Sequence, residues 1–150
     1  MKKVALASDH GGYGLKTQIK QYLQSKGYTV LDLGTDSEES VDYPDFGAKA
    51  AEAVLNKEAD CAVIMCGSGI GISISANKFK GIRCALCFDT YTAKMSRMHN
   101  DANIMAVGGR ITTIERAVDM VDLFLTTEFE GGRHQRRIDM LDALAEKSWK

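Results

Sequence analysis

The residues best suited to chemistry lie in one stretch, Cys61 to Lys78, where an apolar strand runs into a glycine-rich turn. Cys66 ends the strand, and glycines at 67, 69 and 71 alternate with Ser68 and Ile70. Such glycines let the backbone approach a ligand and point several amide donors at one spot. Where the turn opens a helix, free amides and the helix dipole favour a phosphate or a developing oxyanion. A thiol beside such donors can lose its proton near neutral pH, so the stretch predicts a base next to an anion hole, as proton abstraction beside a carbonyl requires.

Two simpler explanations of this stretch stay open. Many α/β proteins use a glycine turn only to pass from a strand to a helix. A single cysteine at a strand end is commonly a small, buried, apolar residue. The chemical interpretation therefore needs partners elsewhere in the chain.

One possible partner is His99, which lies at a predicted helix end beside Asn100 and Asp101. Its imidazole is suited to proton donation at physiological pH. From the residues alone, a histidine that interacts with the dipole at a helix C-terminus is the favoured explanation.

A second possible partner is the basic cluster that begins at Arg133. Arg133 and Arg137 are four residues apart, so they share one face of a helix and could clamp a phosphate. A solvated basic patch, balanced by Glu128 and Glu130, explains the two arginines equally well. The acidic balance of the chain, and the lack of a basic stripe with interleaved aromatic residues, make nucleic-acid binding a poorer explanation.

Hydrophobic periodicity and turn residues predict five strands that alternate with helices. We expect strands at 4–8, 28–33, 61–65, from about 83 to 88, and 103–107. We expect helices carrying 15–23, from 44 to about 57, from the glycine turn to about 79, over 91–98, over 114–125 after a Thr112 or Thr113 cap, and over 138–144 after Gly131 and Gly132.

This order predicts a Rossmann-like three-layer α/β/α sandwich with a five-stranded parallel sheet. Ligands of such sheets bind beyond the carboxyl ends of the strands. Asp9 with His10, Cys66 with its loop, and Gly108 to Arg110 all follow strand ends. We therefore expect these three segments to converge on one cleft.

The bulk composition limits the possible functions. The 150 residues, 45% apolar and 26% charged, suit one compact domain over residues 1–150. A net charge of -1 and a pI near 6.3 give no field that would attract nucleic acid or a membrane surface. With neither a signal peptide nor a membrane-spanning run, we expect a cytoplasmic protein.

The four cysteines predict neither a disulfide framework nor a metal site. Cys84 and Cys87 lie in a predicted strand on which their side chains face opposite ways. Cys61 and Cys66 have no second ligand pair at zinc-finger spacing. We therefore expect reduced thiols and no metal or other cofactor.

Six separated motifs in order resemble the ribose-5-phosphate isomerase B family, which belongs to the ribose/galactose isomerase superfamily. They are SDHGG at 8–12, DYP at 42–44, CGSG at 66–69, SANK at 75–78, HND at 99–101 and EGGRH at 130–134. The resemblance covers essentially the whole chain. It implies an aldose–ketose isomerase of ribose 5-phosphate, part of the pentose phosphate pathway.

The resemblance also implies a role for each matching residue. Cys66 would be the base that moves a proton between C2 and C1, and His99 would open the furanose ring. The enediolate oxygens would be held by the amides of the loop, which are those of Gly67, Ser68, Gly69, Ile70 and Gly71. The other implied substrate contacts are Asp9, His10 and Tyr43 to the sugar, Asn100 to orient the enediolate oxygens, and Arg110, Arg133 and Arg137 to the phosphate.

One branch of the family has glycine at the position of Cys66 and a glutamate base at the position of Ile72. Ile72 cannot accept a proton, so this chain resembles the cysteine branch. The family forms homodimers, sometimes paired into tetramers, with clefts at the subunit contact. The resemblance therefore implies a C-terminal helix that extends to a partner subunit, and site residues that come from two chains.

Three alternative functions are considered. The chain could isomerise a six-carbon sugar phosphate such as allose or galactose 6-phosphate, or it could be a non-catalytic sugar-phosphate sensor. A pyridine-nucleotide oxidoreductase is disfavoured, because the glycine loop follows the third strand and no acidic residue ends a strand some twenty positions later.

Overall fold

A computed structural model describes residues 2–149, which form five strands and six helices. In chain order these are β1 (Lys3–Ser8), α1 (Tyr13–Ser25), β2 (Thr29–Asp32), α2 (Tyr43–Leu55), β3 (Cys61–Cys66), α3 (Ile70–Ala76), β4 (Cys84–Leu86), α4 (Thr90–Met98), β5 (Ile104–Gly108), α5 (Ile114–Thr126) and α6 (Arg133–Ser148). Within residues 2–149, no helix is both long and apolar enough to span a lipid bilayer.

The strands form one sheet in the order β2-β1-β3-β5-β4. Every neighbouring pair is parallel, and Cys66 at the end of β3 lies opposite Gly108 at the end of β5. Because parallel strands need crossover connections, helices cover both faces, and the predicted Rossmann-like α/β/α sandwich is confirmed.

Each face of the sheet has its own apolar core. Side chains of α1, α4 and α5, among them Leu23 and Phe124, pack on one face, where Val63 and Met65 of β3 also point. Side chains of α2 and α3, such as Ala50 and Ile72, pack on the other. β3 is buried on both faces, which explains why it is an unbroken apolar run.

Two predicted boundaries differ from the structure around β4. The third helix ends at Ala76 instead of near Phe79, because the Asn77 side-chain amide exchanges two hydrogen bonds with the backbone of Cys84, at 2.8 and 2.9 Å. β4 stops at Leu86 instead of Phe88, because Asp89 and Thr92 form a capping box that starts α4.

Helix α6 buries only a small part of its surface within residues 2–149. His134 and Ile138 are its buried residues, while Met140, Leu141 and Leu144 expose about half or more of their surface. An amphipathic helix normally buries its apolar stripe, so this stripe is a candidate contact surface.

Candidate active site

A cleft of about 680 Å³ opens at the carboxyl edge of the sheet, beyond β1, β3 and β5. The residues that line it are Asp9, Tyr43, Cys66, Gly67, Ser68, Ile70, Gly71, Ile74, Arg110 and Ile111. Ile74 and Ile111 were not predicted, since nothing in their sequence context separates them from core residues. Three distant segments thus meet at the place where parallel α/β sheets bind ligands.

The turn after β3 depends on two of its glycines. Gly69 has a φ of 80°, in the left-handed region, and a Cβ there would lie 2.9 Å from the backbone of Val107. A Cβ on Gly67 would lie 2.8 Å from Nη1 of Arg110. The missing side chain at 67 therefore lets the Arg110 guanidinium lie against the backbone of the turn.

Several backbone amides of this turn are free to bind an anion. Among the hydrogen bonds within residues 2–149, none is donated by the amides of Gly67, Ser68, Gly69 or Gly71. The Ile70 amide donates to Oγ of Ser68 at 3.2 Å. Unpaired amides next to a guanidinium favour a negatively charged ligand.

Cys66 differs from the other buried thiols in its access to the cleft. Only 5% of its surface is exposed, but it lines the cleft beside the free amides. Burial raises the pKa of Cys61 and the pKa of Cys87 to about 11, so these two thiols stay protonated at neutral pH. Cys66 is therefore the thiol placed to exchange a proton with a ligand.

Asp9 is held in the cleft by the backbone of its own turn. Its Oδ1 accepts hydrogen bonds from the amides of Gly11 at 2.8 Å and Gly12 at 3.3 Å. A Cβ on Gly11 would lie 2.9 Å from the Gly67 nitrogen. The turn after β1 and the turn after β3 are therefore in direct contact, which keeps Asp9 near the thiol's loop.

Tyr43 is the first residue of α2, and His10 lies in the turn after β1. The Tyr43 ring lies on Gly71, where a Cβ would meet it at 2.6 Å. His10 does not line the cleft; its Nδ1 accepts a hydrogen bond from the Val41 amide at 3.2 Å. That bond leaves the proton of a neutral imidazole on Nε2.

A second cluster lies at the opposite, amino edge of the sheet, because α4 runs back from the end of β4. His99 caps the C-terminus of α4, and its ring stacks on His134 with 4.2 Å between ring centroids. Glu130 lies between them, with oxygens 3.8 Å from His99 Nε2 and 3.7 Å from His134 Nε2. Burial, with added repulsion from His99 and Arg133, lowers the pKa of His134, so this imidazole is mainly neutral at pH 7.

Two arginines hold the segment that carries His99 and Asn100. Asp101 has a left-handed φ of 44°, and its carboxylate pairs with Arg97 at 2.8 Å. Arg83 donates from Nε to the Asn100 carbonyl at 2.9 Å and from Nη2 to the Asp101 carbonyl at 3.0 Å. The side chains of Arg83 and Arg97 therefore hold the backbone of residues 99–101 in place. Nothing in the sequence around these two arginines predicts this role.

Arg133 and Arg137 lie on the first turns of α6, near this second cluster. Both are exposed, and neither forms an ion pair within the described part of the chain. The expected helix over this region begins at Arg133, directly after Gly131 and Gly132, which both have positive φ.

The predicted site residues therefore fall into two groups within one chain. Asp9, Tyr43, Cys66, its loop and Arg110 gather at the cleft, with His10 beside it. The second group, which the cleft does not include, is His99, Asn100, Arg133 and Arg137. The sequence analysis did not predict that Glu130 and His134 interact. Their spacing of four residues, at the start of a predicted helix, is the signal that could have indicated this contact.

The sheet and its cleft define a Rossmann-like α/β protein with a candidate ligand site that contains a cysteine. Comparison with known proteins makes the class specific. The profile of the ribose/galactose isomerase family matches residues 4–141. The chain is 44% identical over 147 residues to ribose-5-phosphate isomerase B of Escherichia coli strain K12, with 98% of this chain and 99% of that one covered.

Solved structures agree with these matches. A ribose-5-phosphate isomerase B from Clostridium thermocellum superposes with a TM-score of 0.96 at 52% identity, covering 97% of this chain and 98% of that one. The Mycoplasma genitalium ribose-5-phosphate isomerase B with bound ribulose-5-phosphate superposes with a TM-score of 0.92 at 38% identity, covering 97% of each chain. The chain belongs to the ribose/galactose isomerase family and is an isomerase.

Proposed function

We propose that the enzyme interconverts D-ribose 5-phosphate and D-ribulose 5-phosphate. The observation that carries the proposal is the cleft in which the Cys66 thiol, free loop amides and the Arg110 guanidinium meet. A relative of similar fold binds ribulose-5-phosphate, the ketose of this pair. The four cysteines are free thiols, which favours a reducing compartment such as the cytoplasm.

In the proposed mechanism Cys66 carries one proton between two carbons. The thiolate takes the proton from C2 of the open-chain aldose, and the electron pair moves to O1 to form a cis-enediolate. The O2 proton passes to O1, and Sγ returns its proton to C1 to give the ketose. The amides of residues 67–71 would stabilise the enediolate oxygens, because donors preorganised around a developing charge lower the barrier most.

Sugar contacts would come from the groups around the thiol. Asp9 is fixed by two amides and can accept hydrogen bonds from sugar hydroxyls with its remaining lone pairs. His10, with its proton on Nε2, would donate, and Tyr43 would cover one side of the sugar. Because two amide hydrogen bonds already hold Asp9, little side-chain entropy would be lost there on binding.

His99 would open the furanose ring as a general acid and base, and Asn100 would orient the enediolate oxygens. Arg133 and Arg137 would hold the phosphate together with Arg110, since guanidinium groups match phosphate oxygens in pairs. These four groups lie away from the cleft of their own chain. We therefore infer a homodimer in which the second cluster of each chain completes the cleft of the other.

Exposed apolar side chains support this dimer. Phe88, Tyr91 and Ile111 each expose more than half of their surface, and so do Leu144 and Met140 of α6. Contiguous patches of exposed apolar residues mark interaction surfaces, and the proposed dimer would bury these side chains. We propose that α6 extends across the two-fold axis, and that a tetramer of two such dimers is compatible with this contact.

Replacement of the thiol tests the catalytic proposal. Loss of one oxyanion donor typically lowers kcat by about 10²–10³-fold, and we expect Cys66→Ala to lower kcat for ribose 5-phosphate by at least as much. Calorimetry should show that this variant still binds ribulose 5-phosphate. Cys61→Ala is the matched control, since its protonated thiol lies at the other end of the same strand, and we expect near wild-type turnover. Wild-type turnover in Cys66→Ala would exclude the thiol as the base, and a wild-type enzyme that binds without turnover would indicate a sugar-phosphate sensor.

A six-carbon sugar phosphate is the second candidate substrate, because the matching family includes galactose isomerases. The open cleft of about 680 Å³ leaves room for one more carbon. Values of kcat/KM for ribose 5-phosphate, allose 6-phosphate and galactose 6-phosphate, measured under one set of conditions, will decide between them. We expect the pentose phosphate to give the highest value.

A further inference from the structure

His99, Glu130 and His134 bring three atoms capable of binding a metal into one small volume. The two imidazole nitrogens and the carboxylate oxygen all lie within 4.8 Å of one another. The proposed isomerisation uses only His99 of these three. Glu130 and His134 therefore have no function assigned by the mechanism.

The strongest sign of a missing ligand is Nε2 of His134. His134 is 6% exposed, and its Nε2 is completely buried with no hydrogen-bond partner among residues 2–149. Buried polar atoms almost always have a partner. This nitrogen points toward Glu130, whose nearer oxygen is 3.7 Å away, too far for a hydrogen bond.

The backbone holds the three residues in place while their side chains can adjust. The Glu130 amide donates to the Met98 carbonyl at 3.1 Å, which ties Glu130 to the residue before His99. The His134 amide donates to the Gly131 carbonyl at 3.1 Å. His99 and Glu130 expose 38% and 43% of their side chains, so an ion from solvent can reach them, and both can rotate toward it.

Two imidazoles and one carboxylate are a donor set that suits Zn²⁺ and related transition metals, not Mg²⁺. Ligand atoms about 2.0–2.2 Å from a tetrahedral zinc lie roughly 3.4 Å apart. His99 Nε2 lies 3.8 Å from Oε1 of Glu130, and His134 Nε2 lies 3.7 Å from Oε2 of the same carboxylate, both close to that value. A metal binds in the plane of each imidazole ring, so the stacked His99 ring must rotate out of its stack on His134 before both nitrogens can bind one ion. His99 and Glu130 are exposed enough to make this rotation.

We propose that His99, Glu130 and His134 form a binding site for a transition-metal ion of the Zn²⁺ type, and that the bound ion inhibits the enzyme. Inhibition follows because the ion occupies Nε2 of His99, and this clause rests on the proposed function of His99 in ring opening. The guanidinium groups of Arg133 and Arg137 lie nearby and oppose a cation. This repulsion weakens the binding of the ion, so the ion acts as a regulator instead of a resident cofactor.

Calorimetric titration of the metal-free protein with Zn²⁺ tests the binding. We expect one ion per chain in the wild type and an affinity at least about tenfold lower in Glu130→Gln and in His134→Gln. Glu130→Gln is the safer variant, because Glu130 is exposed and His134 is buried. Cys66→Ala is the control for binding at the cleft thiol, and Mg²⁺ is the control for non-specific charge attraction.

Equal Zn²⁺ affinity in the wild type and both variants would overturn the site, and so would a loss of binding in Cys66→Ala alone. Co²⁺ gives an independent readout, since a three-ligand protein site produces a visible absorption band that Glu130→Gln should remove. A wild-type Co²⁺ band in that variant would also count against the site.

Turnover of ribose 5-phosphate tests the inhibition separately. We expect Zn²⁺ to inhibit the wild type, a chelator to restore activity, and Glu130→Gln to need about tenfold more Zn²⁺ for half-inhibition, relative to its own metal-free rate. Binding without inhibition would overturn the regulatory part and keep the metal site. An enzyme without any ribose 5-phosphate turnover would contradict the proposed function, while the binding results would still decide the metal site.

Discussion

The carboxyl-edge cleft and the amino-edge cluster of this protein are built in different ways. The cleft is made largely of backbone: glycines at 11, 67 and 69 bring the turns together, and a buried thiol and free amides line it. The amino-edge cluster is made of side chains, with stacked imidazoles, a carboxylate and arginines that are mostly open to solvent.

We propose that the chemistry is divided in the same way. Backbone amides held by tight turns suit the fixed geometry of an enediolate. Long charged side chains suit a phosphate and an acid that must reach a ligand supplied from elsewhere. Since each edge has what the other lacks, two chains related by a two-fold axis can form two complete sites.

The strongest test of this division pairs a chain mutated in the cleft with a chain mutated in the amino-edge cluster. Cys66→Ala and His99→Asn chains, each inactive alone, are joined as a heterodimer purified through two different tags. If each site takes its thiol from one chain and its imidazole from the partner, one of the two sites is intact, and we expect about half of the wild-type kcat per dimer.

A heterodimer of two Cys66→Ala chains with the same tags is the control for tag effects and contamination. If both groups act from the same chain, every site in the mixed heterodimer is defective. Activity at the level of the parent variants would therefore refute the shared site.

A smaller effect is expected at Arg133 and Arg137, the proposed phosphate contacts of the amino-edge cluster. If Arg137 binds the phosphate as proposed, Arg137→Gln loses a charge-assisted hydrogen bond worth about 1.5–3 kcal/mol, so kcat/KM for ribose 5-phosphate should fall roughly 10- to 150-fold, mainly through KM. Arg136→Gln is the matched control, because Arg136 is exposed on the same helix and contacts Met140. Steady-state kinetics that give equal losses in the two variants would contradict a specific role for Arg137.

Arg83, which holds the backbone next to His99 and Asn100, gives a further test of the amino-edge cluster. Arg83→Met removes the hydrogen bonds to the Asn100 and Asp101 carbonyls, each worth about 1 kcal/mol, so we expect kcat to fall about fivefold with KM little changed. Arg83→Lys should recover part of the loss, because an ammonium group can reach one of the carbonyls. Lys80→Met, which breaks an exposed ion pair with Glu146, should leave turnover unchanged.

If the Arg83 and Lys80 variants lose kcat equally, or if the Arg83 loss falls entirely on KM, Arg83 does not position the catalytic segment. Circular dichroism of each variant provides the check that the fold is retained.

The smallest effect on turnover is expected at the ion pair between Lys16 and Asp32, because Asp32 ends β2 and does not line the cleft. Lys16 is 2% exposed, and its Nζ lies 2.6 Å from Asp32, so this pair should affect mainly the stability of the fold. Burial works to raise the pKa of Asp32, but hydrogen bonds from Lys16, Gly34 and Lys20 outweigh it, so the pKa lies below its usual range. A lowered pKa means that the stabilisation is present above the unfolded-state pKa of about 3.9 and is lost as the pH falls through the folded-state value.

Asp32→Asn should therefore lower the free energy of unfolding by about 1–3 kcal/mol at pH 7, measured by urea denaturation at one fixed protein concentration. The difference from the wild type should shrink as the pH falls below about 4. Asp36→Asn, at an exposed neighbouring position, is the control. A difference between wild type and Asp32→Asn that does not change with pH would show that the carboxylate charge is not the cause.

Much of the fold follows from local patterns in the sequence. Apolar runs of four to six residues, each followed by a helical pattern, predicted β1, β2, β3 and β5 to within about two residues, because buried parallel strands are nearly continuous apolar segments. The errors fall at β4 and the end of α3. There the side chains of Asn77, Asp89 and Thr92 replace backbone hydrogen bonds, which periodicity does not detect.

The candidate site was predictable to a similar extent. Residues that follow strand ends, such as Asp9, Cys66 and Arg110, were expected to meet, and they line one cleft. The contact of His99 with Glu130 and His134, and the hold of Arg83 on Asn100, join residues that are 17 to 35 positions apart in the chain. No local pattern encodes these pairings.

By itself the sequence determined the order of strands and helices, the glycine turn after β3 and the thiol beside it, because these depend on neighbouring residues. Only the tertiary structure decided where the groups lie relative to one another. The strand order β2-β1-β3-β5-β4 collects the strand ends at one edge, and α4 carries His99 back to the other, since a crossover helix must run antiparallel to its strands. That separation of thiol and imidazole is a property of the packed sheet, which a list of motifs does not contain.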